Sequence, residues 1–353
     1  MRTKNSLNIN ENTLSHDQLL SLDILEQRAA IRANIYTGHT AGLGAAKLQA
    51  NLAIIPEEFA LDFMRFCQRN PKPCPVSGVS ETGNPMMITL GEDIDIRIDM
   101  PCYNIYRDGL LAEQRQNLSQ LWQEDYVSFA LGCSFTFEHA AMHAGIRMWH
   151  IENNTTVPMF QTNIDCVPAG RFSGKMVVSM RAIPTHQVDQ VIEISDRYPL
   201  AHGAPIHIGT PAEIGIPDIN QPQWGDPAPV DDGHIPVFWA CGVTPQNAMR
   251  NAHIPVVITH KPGCMLITDI DEYAKTPSSK IRERIMKKTL TIMAAALALS
   301  GTFVAADSPV VLKAVGTWSS LTNFKKHEGP FFNQRLAEAS GGQIAGDKNP
   351  SPA

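Results

Sequence analysis

Residues 236–271 read PVFWACGVTPQNAMRNAHIPVVITHKPGCMLITDID, and the pattern of this stretch organises the whole chain. Two apolar runs in it, at 237–240 and 254–259, have the length and the β-branched or aromatic content of buried strands. Between them Thr244 can cap a helix, and Pro245 suits the first helical position. Strand, turn, helix and strand predict a βαβ unit. The junction between the first strand and the helix is the edge at which open α/β sheets bind ligands.

A similar pattern occurs earlier in the chain. An offset of 108 residues pairs Cys133 with Cys241, Thr136 with Thr244, Glu138 with Gln246, Ala140 with Ala248, Ala144 with Ala252 and Ile146 with Ile254. The match is explained equally well by an internal duplication and by chance, since short alanine-rich apolar segments often match. If the duplication is real, two strand–cysteine–helix junctions face each other across a pseudo-two-fold axis. One cleft between them is then the expected site.

The composition is that of an ordinary soluble globular protein. The chain has 353 residues, of which 43% are hydrophobic and 18% charged, and its net charge is −6. This length can bury a sizeable core and form two domains. Nothing in the chain is strongly basic, so we expect no nucleic-acid partner. The seven cysteines are odd in number and scattered, which favours reduced thiols in a cytoplasm over a disulfide framework.

Local patterns predict further elements outside the two related segments. Residues 57–70 have the apolar spacing of an amphipathic helix, and residues 93–99 alternate as a half-buried strand does. Residues 1–25 are polar and are predicted to form a loosely ordered leader, in which residues 15–18 can open a helix that runs to Arg32. The other predicted helices are 114–122, 136–145 and 188–198, and the other predicted strands are 126–132 and 177–181.

Seven ordered stretches carry a family resemblance. They are CPV at 74–76 with GN at 83–84, DIRIDMP at 95–101, LGCSFTFE at 131–138, VPMFQTN at 157–163, HGAPIH at 202–207, FWACGVTPQ at 238–246, and ITHKPG at 258–263 followed by TD at 268–269. Together they resemble the D-glutamate cyclase family, whose bacterial members are called hydro-lyases, over about residues 25–272. The resemblance implies an α/β protein with a mixed sheet, flanking helices and a smaller inserted α+β subdomain. It also implies a carbon–oxygen lyase activity.

Loss of water from a small amino or hydroxy acid requires a base, an acid and donors that hold the carboxylate. His260 is the first candidate for acid–base work, because it ends a predicted buried strand and histidine titrates near neutral pH. A structural histidine is the alternative. His202 and His207 are the second candidates, and their alternative role is to pin a loop.

Other residues complete the predicted site. Cys133 and Cys241 lie where a helix amino end lowers a thiol pKa, so each is a candidate nucleophile or else a buried inert thiol. Glu138 is a general acid or a capping-box partner. The predicted substrate-binding residues are the guanidinium groups of Arg97 and Arg181, the hydroxyls of Ser134, Thr136 and Thr244, and Asp269, which could also orient His260.

No metal or cofactor is expected. His139 and His143 are one helical turn apart, but no third ligand follows from the spacing. No dinucleotide, pyridoxal-lysine or nucleotide motif is found. The expected partner is a small-molecule carboxylate, no membrane is expected for the lyase domain, and a homo-oligomer is left open. The rival functions are a non-catalytic carboxylate-binding or regulatory protein and a cysteine-nucleophile amidohydrolase.

The character of the chain changes after residue 280. A basic start at 286–288, an apolar run at 290–299 and small residues before Asp307 form a secretory signal. The residues after it resemble the mature start of a TRAP-type periplasmic solute-binding protein, cut too short for that fold. The pattern predicts a read-through into a neighbouring gene, with a membrane-anchored fusion as the alternative. The predicted divisions are a leader (1–25), a lyase-like domain of two subdomains (26–272), a linker (273–285), the signal-like segment (286–306) and the truncated start (307–353).

Overall fold

The computed structural model describes residues 13–272, 310–316 and 344–350, and the chain divides into a first unit, 1–283, and a second unit, 284–353. The helices of the first unit are His16–Leu20 (α1), Ile24–Arg32 (α2), Glu57–Arg69 (α3), Phe135–His143 (α4), Trp149–Glu152 (α5), Val188–Asp196 (α6) and Val243–Asn251 (α7). Its strands are Lys47–Pro56 (β1), Val76–Val79 (β2), Tyr103–Arg107 (β3), Leu110–Arg115 (β4), Tyr126–Gly132 (β5), Met159–Asp165 (β6), Lys175–Pro184 (β7), His207–Ile208 (β8), His234–Ala240 (β9), Val257–His260 (β10) and Leu266–Asp271 (β11).

The larger sheet is built around β1. This strand pairs with β5 along one edge and with β10 and β11 along the other, always antiparallel, and the sheet order is β2-β5-β1-β10-β3-β4. Nine of its ten residues are buried, because both faces are covered. Ala53 and Ile55 pack with Phe63 of α3 on one face, while Leu52 and Ile54 pack into a second cluster on the other. A strand buried on both faces reads as a continuous apolar run and loses the alternation of a half-exposed strand.

The smaller sheet has the order β6-β7-β9-β8 and is also antiparallel. Trp239 of β9 points to the face covered by α4 and α6, where Phe137 and Val191 pack. Phe238 points to the other face, against Phe160 and Ile214. Successive side chains of a strand alternate between faces, so this sheet also separates two cores.

The predicted α/β class with flanking helices is confirmed, but the predicted βαβ unit is divided between the two sheets. β9 lies in the smaller sheet and β10 in the larger one, so α7 connects two sheets and not two parallel strands of one. The earlier segment runs in the opposite sense, from β5 in the larger sheet through α4 and α5 to β6 in the smaller one. Apolar runs indicate strands, but the sheet that each strand joins depends on distant partners.

Two local predictions differ from the structure. Residues 93–99 form turns, because the Asp99 carboxylate accepts the Asp95 N–H at 2.8 Å and Asp95 accepts the Arg97 N–H at 3.0 Å, which bends the chain. Residues 114–122 form the end of β4 and then turns, without a helix. Within the span 15–32, where a helix could open, the structure has two helices, α1 and α2, and α1 buries its Leu19 fully.

In the second unit, Val310–Gly316 (β12) and Ile344–Pro350 (β13) form a parallel pair. The signal-like segment 286–306 and most of the predicted truncated start lie outside the described residues. Within the described ranges, no helix is long and apolar enough to cross a membrane.

Candidate active site between two strand–helix junctions

Two junctions with the same hydrogen-bond pattern lie at the centre of the first unit. At the end of β5, the N–H of Cys133 donates to the Gln49 carbonyl of β1 at 3.0 Å. At the end of β9, the N–H of Cys241 donates to the Val177 carbonyl of β7, also at 3.0 Å. The residues aligned by the offset of 108 positions therefore occupy equivalent places in three dimensions, each beside the central strand of its own sheet.

Thr136 and Thr244 brace these junctions. The Thr136 hydroxyl oxygen accepts the Gln49 N–H at 3.1 Å, and the Thr244 hydroxyl oxygen accepts the Val177 N–H at 2.9 Å. Both threonines are buried. They fix the first turns of α4 and α7 to the two sheets, and the structure does not place them against a ligand space.

Both junctions line one small pocket with a volume of about 10 Å³, about the room that one water molecule needs. Its lining residues are Asn51, Cys133, Ser134, Phe135, Thr156, Val157, Met159, Cys241, Val243, Pro262, Gly263 and Met265. Gly263 and Thr156 belong to loops that are tied to others, since the Gly263 carbonyl accepts the Thr40 N–H at 2.7 Å and Asp226 accepts the Thr156 N–H at 2.8 Å. A substrate larger than water can enter only if these loops move.

The thiols of Cys133 and Cys241 are both buried, at 5% and 8% exposure. Burial raises the pKa of Cys133 to about 12 and that of Cys241 to about 11, although backbone N–H groups of Phe135 and Val243 at the helix starts lower it. The prediction that a helix end lowers the thiol pKa is therefore wrong for the net shift. Loss of hydration destabilises the thiolate more than the helix end stabilises it.

Slow labelling of these two thiols is the direct consequence. We expect Cys133 and Cys241 to react with iodoacetamide at pH 7 at least about 100-fold more slowly in the folded protein than after unfolding in urea, because the thiolate is the nucleophile. Mass spectrometry of tryptic peptides measures each site, and the partly exposed Cys102 serves as the internal comparison. Rapid labelling of either junction thiol in the folded protein would contradict the raised pKa.

A buried ion pair lies behind the pocket. Arg181 of β7 is 3% exposed and Glu138 of α4 is fully buried. The guanidinium donates to Glu138 through Nε at 3.0 Å and through Nη2, to Ser179 at 2.8 Å, and to the hydroxyl oxygen of Ser134 at 3.0 Å. Ser134 lines the pocket, so its own hydroxyl proton is free to donate to a ligand there.

Glu138 stays ionised in this setting. Burial by itself raises its pKa, but the neighbouring His150 and Arg181 outweigh burial and lower that pKa to about 2. Nε2 of His150 lies 3.1 Å from Glu138 Oε1, without the alignment of a hydrogen bond. A carboxyl group that is never protonated near neutral pH cannot act as the predicted general acid. Its position suits the role of holding Arg181.

His260 lies beneath the junctions and does not line the pocket. The Leu52 N–H donates to its Nδ1 at 3.1 Å, and the Gln246 side-chain amide lies 2.9 Å from Nε2. Burial lowers the pKa of His260 to about 4. Asp269 does not orient it, because that carboxylate pairs with Arg28 at 2.6 Å. The contacts are those of the alternative role, a neutral structural histidine.

The remaining predicted residues also lie outside the pocket lining. Nδ1 of buried His202 donates to the Lys72 carbonyl at 2.8 Å, and burial lowers the pKa of His202 to about 4. The His207 ring lies tilted against Phe238, on the face of the smaller sheet opposite to Arg181. Arg97 forms a bidentate pair with Asp95 at 2.9 and 2.6 Å, which was the simpler alternative for this residue.

Asn51 is a pocket residue that the sequence patterns missed. It comes from the middle of β1, and its amide donates to the carbonyls of Leu131 and Gly132 at 3.3 and 2.8 Å. Gly242 packs directly on it, because a Cβ at that position would lie 2.1 Å from the Asn51 amide nitrogen. No local signal marks Asn51, since its place depends on the pairing of β1 with β5.

Fold and site together define a class. It is an α/β protein with two antiparallel sheets, in which one strand–helix junction from each sheet lines a small pocket. The sequence model of the family described as D-glutamate cyclase matches residues 127–269. A protein of Dinoroseobacter shibae is 62% identical over 277 residues, which cover 78% of this chain and 91% of that protein. One of Ruegeria pomeroyi is 62% identical over 265 residues, which cover 75% and 96%. Both relatives carry the name "Putative hydro-lyase". The chain belongs to the D-glutamate cyclase family.

Among solved structures, a nitrogen repressor-like protein of Methanococcus jannaschii aligns with 60% of this chain and 80% of its own, at 10% identity and a TM-score of 0.30. Similarity at this level carries no conclusion about fold or function.

Proposed function

We propose that this chain is a hydro-lyase, a carbon–oxygen lyase that removes water from a small amino or hydroxy carboxylic acid in the pocket between the two junctions. The family and the names of the relatives support the reaction class. The observation that carries the site is the convergence of two equivalent helix starts on one pocket. The positive end of each helix favours a carboxylate or a developing oxyanion there.

Three side chains of the pocket region have the chemistry to hold the acid. The Ser134 hydroxyl can donate to a carboxylate oxygen while Arg181 polarises it from behind. Asn51 is in the lining. Its amide nitrogen donates to Leu131 and Gly132, so its oxygen is the atom that can accept a hydrogen bond from the amino or hydroxyl group of the acid. Arg181 itself is shielded by Ser134 and paired with Glu138, so it acts through the serine and not as the direct clamp that the sequence suggested.

The test uses the full chain with D- and L-glutamate and a panel of small hydroxy acids. A product lighter than its substrate by one water, seen by mass spectrometry, supports the proposal. We expect Ser134→Ala to lower turnover by about 100-fold or more, the usual cost of losing one donor to developing charge. Ser179→Ala is the matched control, because Ser179 also accepts from Arg181 but does not line the pocket. An equal loss in both variants would assign the effect to Arg181 and not to contact with the substrate.

Two rival functions have distinct outcomes in the same assay. Thermal stabilisation by one acid without any product would make the chain a carboxylate-binding protein. An amidohydrolase would require a reactive Cys133 or Cys241, which the raised thiol pKa values oppose.

We further propose a cytoplasmic location for the lyase-like domain and exclude residues 273–353 from it. All seven cysteines are free thiols in the structure, which supports a reducing compartment. The relatives align with about three quarters of the chain, which supports the separation of the remainder. The intact mass of the protein purified from its own cells would test both the read-through and any cleavage after Ala306.

A further inference from the structure

The pocket contains two groups that can exchange protons. Of its lining residues within the described chain, Cys133 and Cys241 are the ones that titrate, and the others are apolar, hydroxyl or amide side chains. The other ionisable candidates of the region lie behind the lining. Glu138 is locked in an ion pair with Arg181, and His260 is enclosed by Leu52 and Gln246. Proton transfer to a ligand in this pocket therefore falls to the thiols.

The two cysteines have the same backbone hydrogen-bond pattern, and they reach the pocket from different sheets. Each cysteine N–H is anchored to the central strand of its own sheet, and each carbonyl accepts the N–H of the threonine three residues on, at 3.1 Å for Thr136 and 2.9 Å for Thr244. The connections run in opposite senses, β5 to β6 through α4 and β9 to β10 through α7. A ligand between the junctions is thus contacted by one thiol from each sheet.

The pocket also offers polar groups that have hydrogen-bonding capacity left over. Ser134 is 3% exposed, and its hydroxyl donates to no other described residue. The Asn51 amide uses its nitrogen on two carbonyls, while its oxygen accepts no hydrogen bond from the described chain. Buried polar groups in folded proteins normally find partners. These two are free to bind a polar ligand beside the thiols.

We propose that Cys133 and Cys241 form a two-thiol acid–base pair that removes and returns the proton on the carbon next to the substrate carboxylate. The inference rests on the proposed function and adds an activity to it. The enzyme exchanges that α-proton with solvent and inverts the configuration of the α-carbon in small 2-amino or 2-hydroxy acids.

The chemistry balances without a further reactant. One thiolate takes the α-proton, and the electron pair of the broken C–H bond moves into the carboxylate, to which the Ser134 hydroxyl donates. The other thiol then has two choices. Where the neighbouring β-carbon carries a hydroxyl group, the thiol protonates that group as it leaves, which gives water and a C=C bond. Otherwise it protonates the α-carbon from the other side, which gives the opposite enantiomer. In both cases the second cysteine ends as the thiolate, and nothing is oxidised or reduced.

A high thiol pKa suits this pair. Burial holds both thiols protonated in the empty pocket, so one is always ready to donate a proton. A thiolate formed in such a place is a strong base, because the same burial favours its protonated form. Only a small fraction of the thiols is therefore ionised, but each thiolate that forms is basic enough to take a proton from carbon.

The experiment incubates the full chain in D2O with D- and L-glutamate and D- and L-malate at millimolar concentration. Deuterium at the α-carbon is measured by mass spectrometry, and inversion is measured by chiral chromatography. We expect both in the wild-type protein, and a loss of inversion of at least about 100-fold in Cys133→Ser and in Cys241→Ser. Cys102→Ser is the control thiol, because Cys102 does not line the pocket. Cys133→Ala and Cys241→Ala, checked for folding by circular dichroism, replace any serine variant that fails to fold.

The outcomes separate this inference from the proposed function. Exchange and inversion without water loss would support the thiol pair and refute the hydro-lyase. Water loss that persists in both cysteine variants would keep the hydro-lyase and overturn the pair. Absence of exchange with all four acids, or exchange that survives in both variants, also overturns the pair.

Discussion

Arg181→Met is expected to lower the free energy of unfolding by about 3–5 kcal/mol. The substitution removes the cation from a pair in which Arg181 is 3% exposed and Glu138 is fully buried. The Glu138 carboxylate is then left in a low-dielectric interior without its guanidinium partner, and Ser134 and Ser179 lose their donor. Methionine preserves most of the packing between Phe137 and Trp239, whose rings lie 5.4 and 5.3 Å from the guanidinium carbon.

The double variant Arg181→Met with Glu138→Gln tests the cause. Removing both charges avoids the unpaired carboxylate, so most of the lost stability should return. Urea unfolding of the wild type, both single variants and the double variant closes the cycle. Additive losses in the double variant would show that packing, and not the buried charge, sets the cost.

The second large effect is acid destabilisation by two buried histidines. Burial lowers the pKa of His202 and of His260 to about 4, whereas an unfolded histidine titrates near 6.5. The unfolded chain therefore binds more protons between these values, and stability falls as the pH drops from about 6.5 to about 4. Each histidine contributes about 3 kcal/mol that is fully present above pH 6.5 and lost below pH 4.

Urea unfolding at several pH values between 4 and 7.5 measures this slope. Glu138 adds little in that window, because its folded pKa of about 2 places its own loss at lower pH, between about 4.5 and 2. His260→Gln should be less stable at pH 7.5 but should show a shallower pH dependence than the wild type. His207→Gln is the matched control, since His207 lies at the sheet edge and is not enclosed. If the free energy of unfolding of His260→Gln depends on pH as steeply as that of the wild type, His260 is not a source of the acid destabilisation.

The sequence determined the type of many elements by itself. The buried strand predicted at 126–132 is β5, the helix predicted at 57–70 is α3, and the helix predicted at 188–198 is α6. Their apolar spacing is local, so a window of about ten residues contains the information. The predictions failed at β4 and at the turns around Asp95, where pairing with β3 and side-chain hydrogen bonds outweigh local propensity.

Part of the site was also visible in the sequence. The offset that pairs Cys133 with Cys241 and Thr136 with Thr244 identified two junctions whose hydrogen bonds the structure shows to be equivalent. The signal was available because a strand end, a cysteine and a helix start are contiguous in the chain. The evolutionary duplication itself stays a prediction.

Only the tertiary structure decided which side chains face the pocket. Cys133 and Cys241 line it, His260 is enclosed by Leu52 and Gln246, and Asn51 enters it from the central strand. Burial then shifts the pKa values of the two thiols and of His260 away from the values usual for their residue types. Both depend on contacts between residues far apart in the sequence. The chain's own pattern therefore specified the elements and their junctions, while long-range pairing specified the chemistry between them.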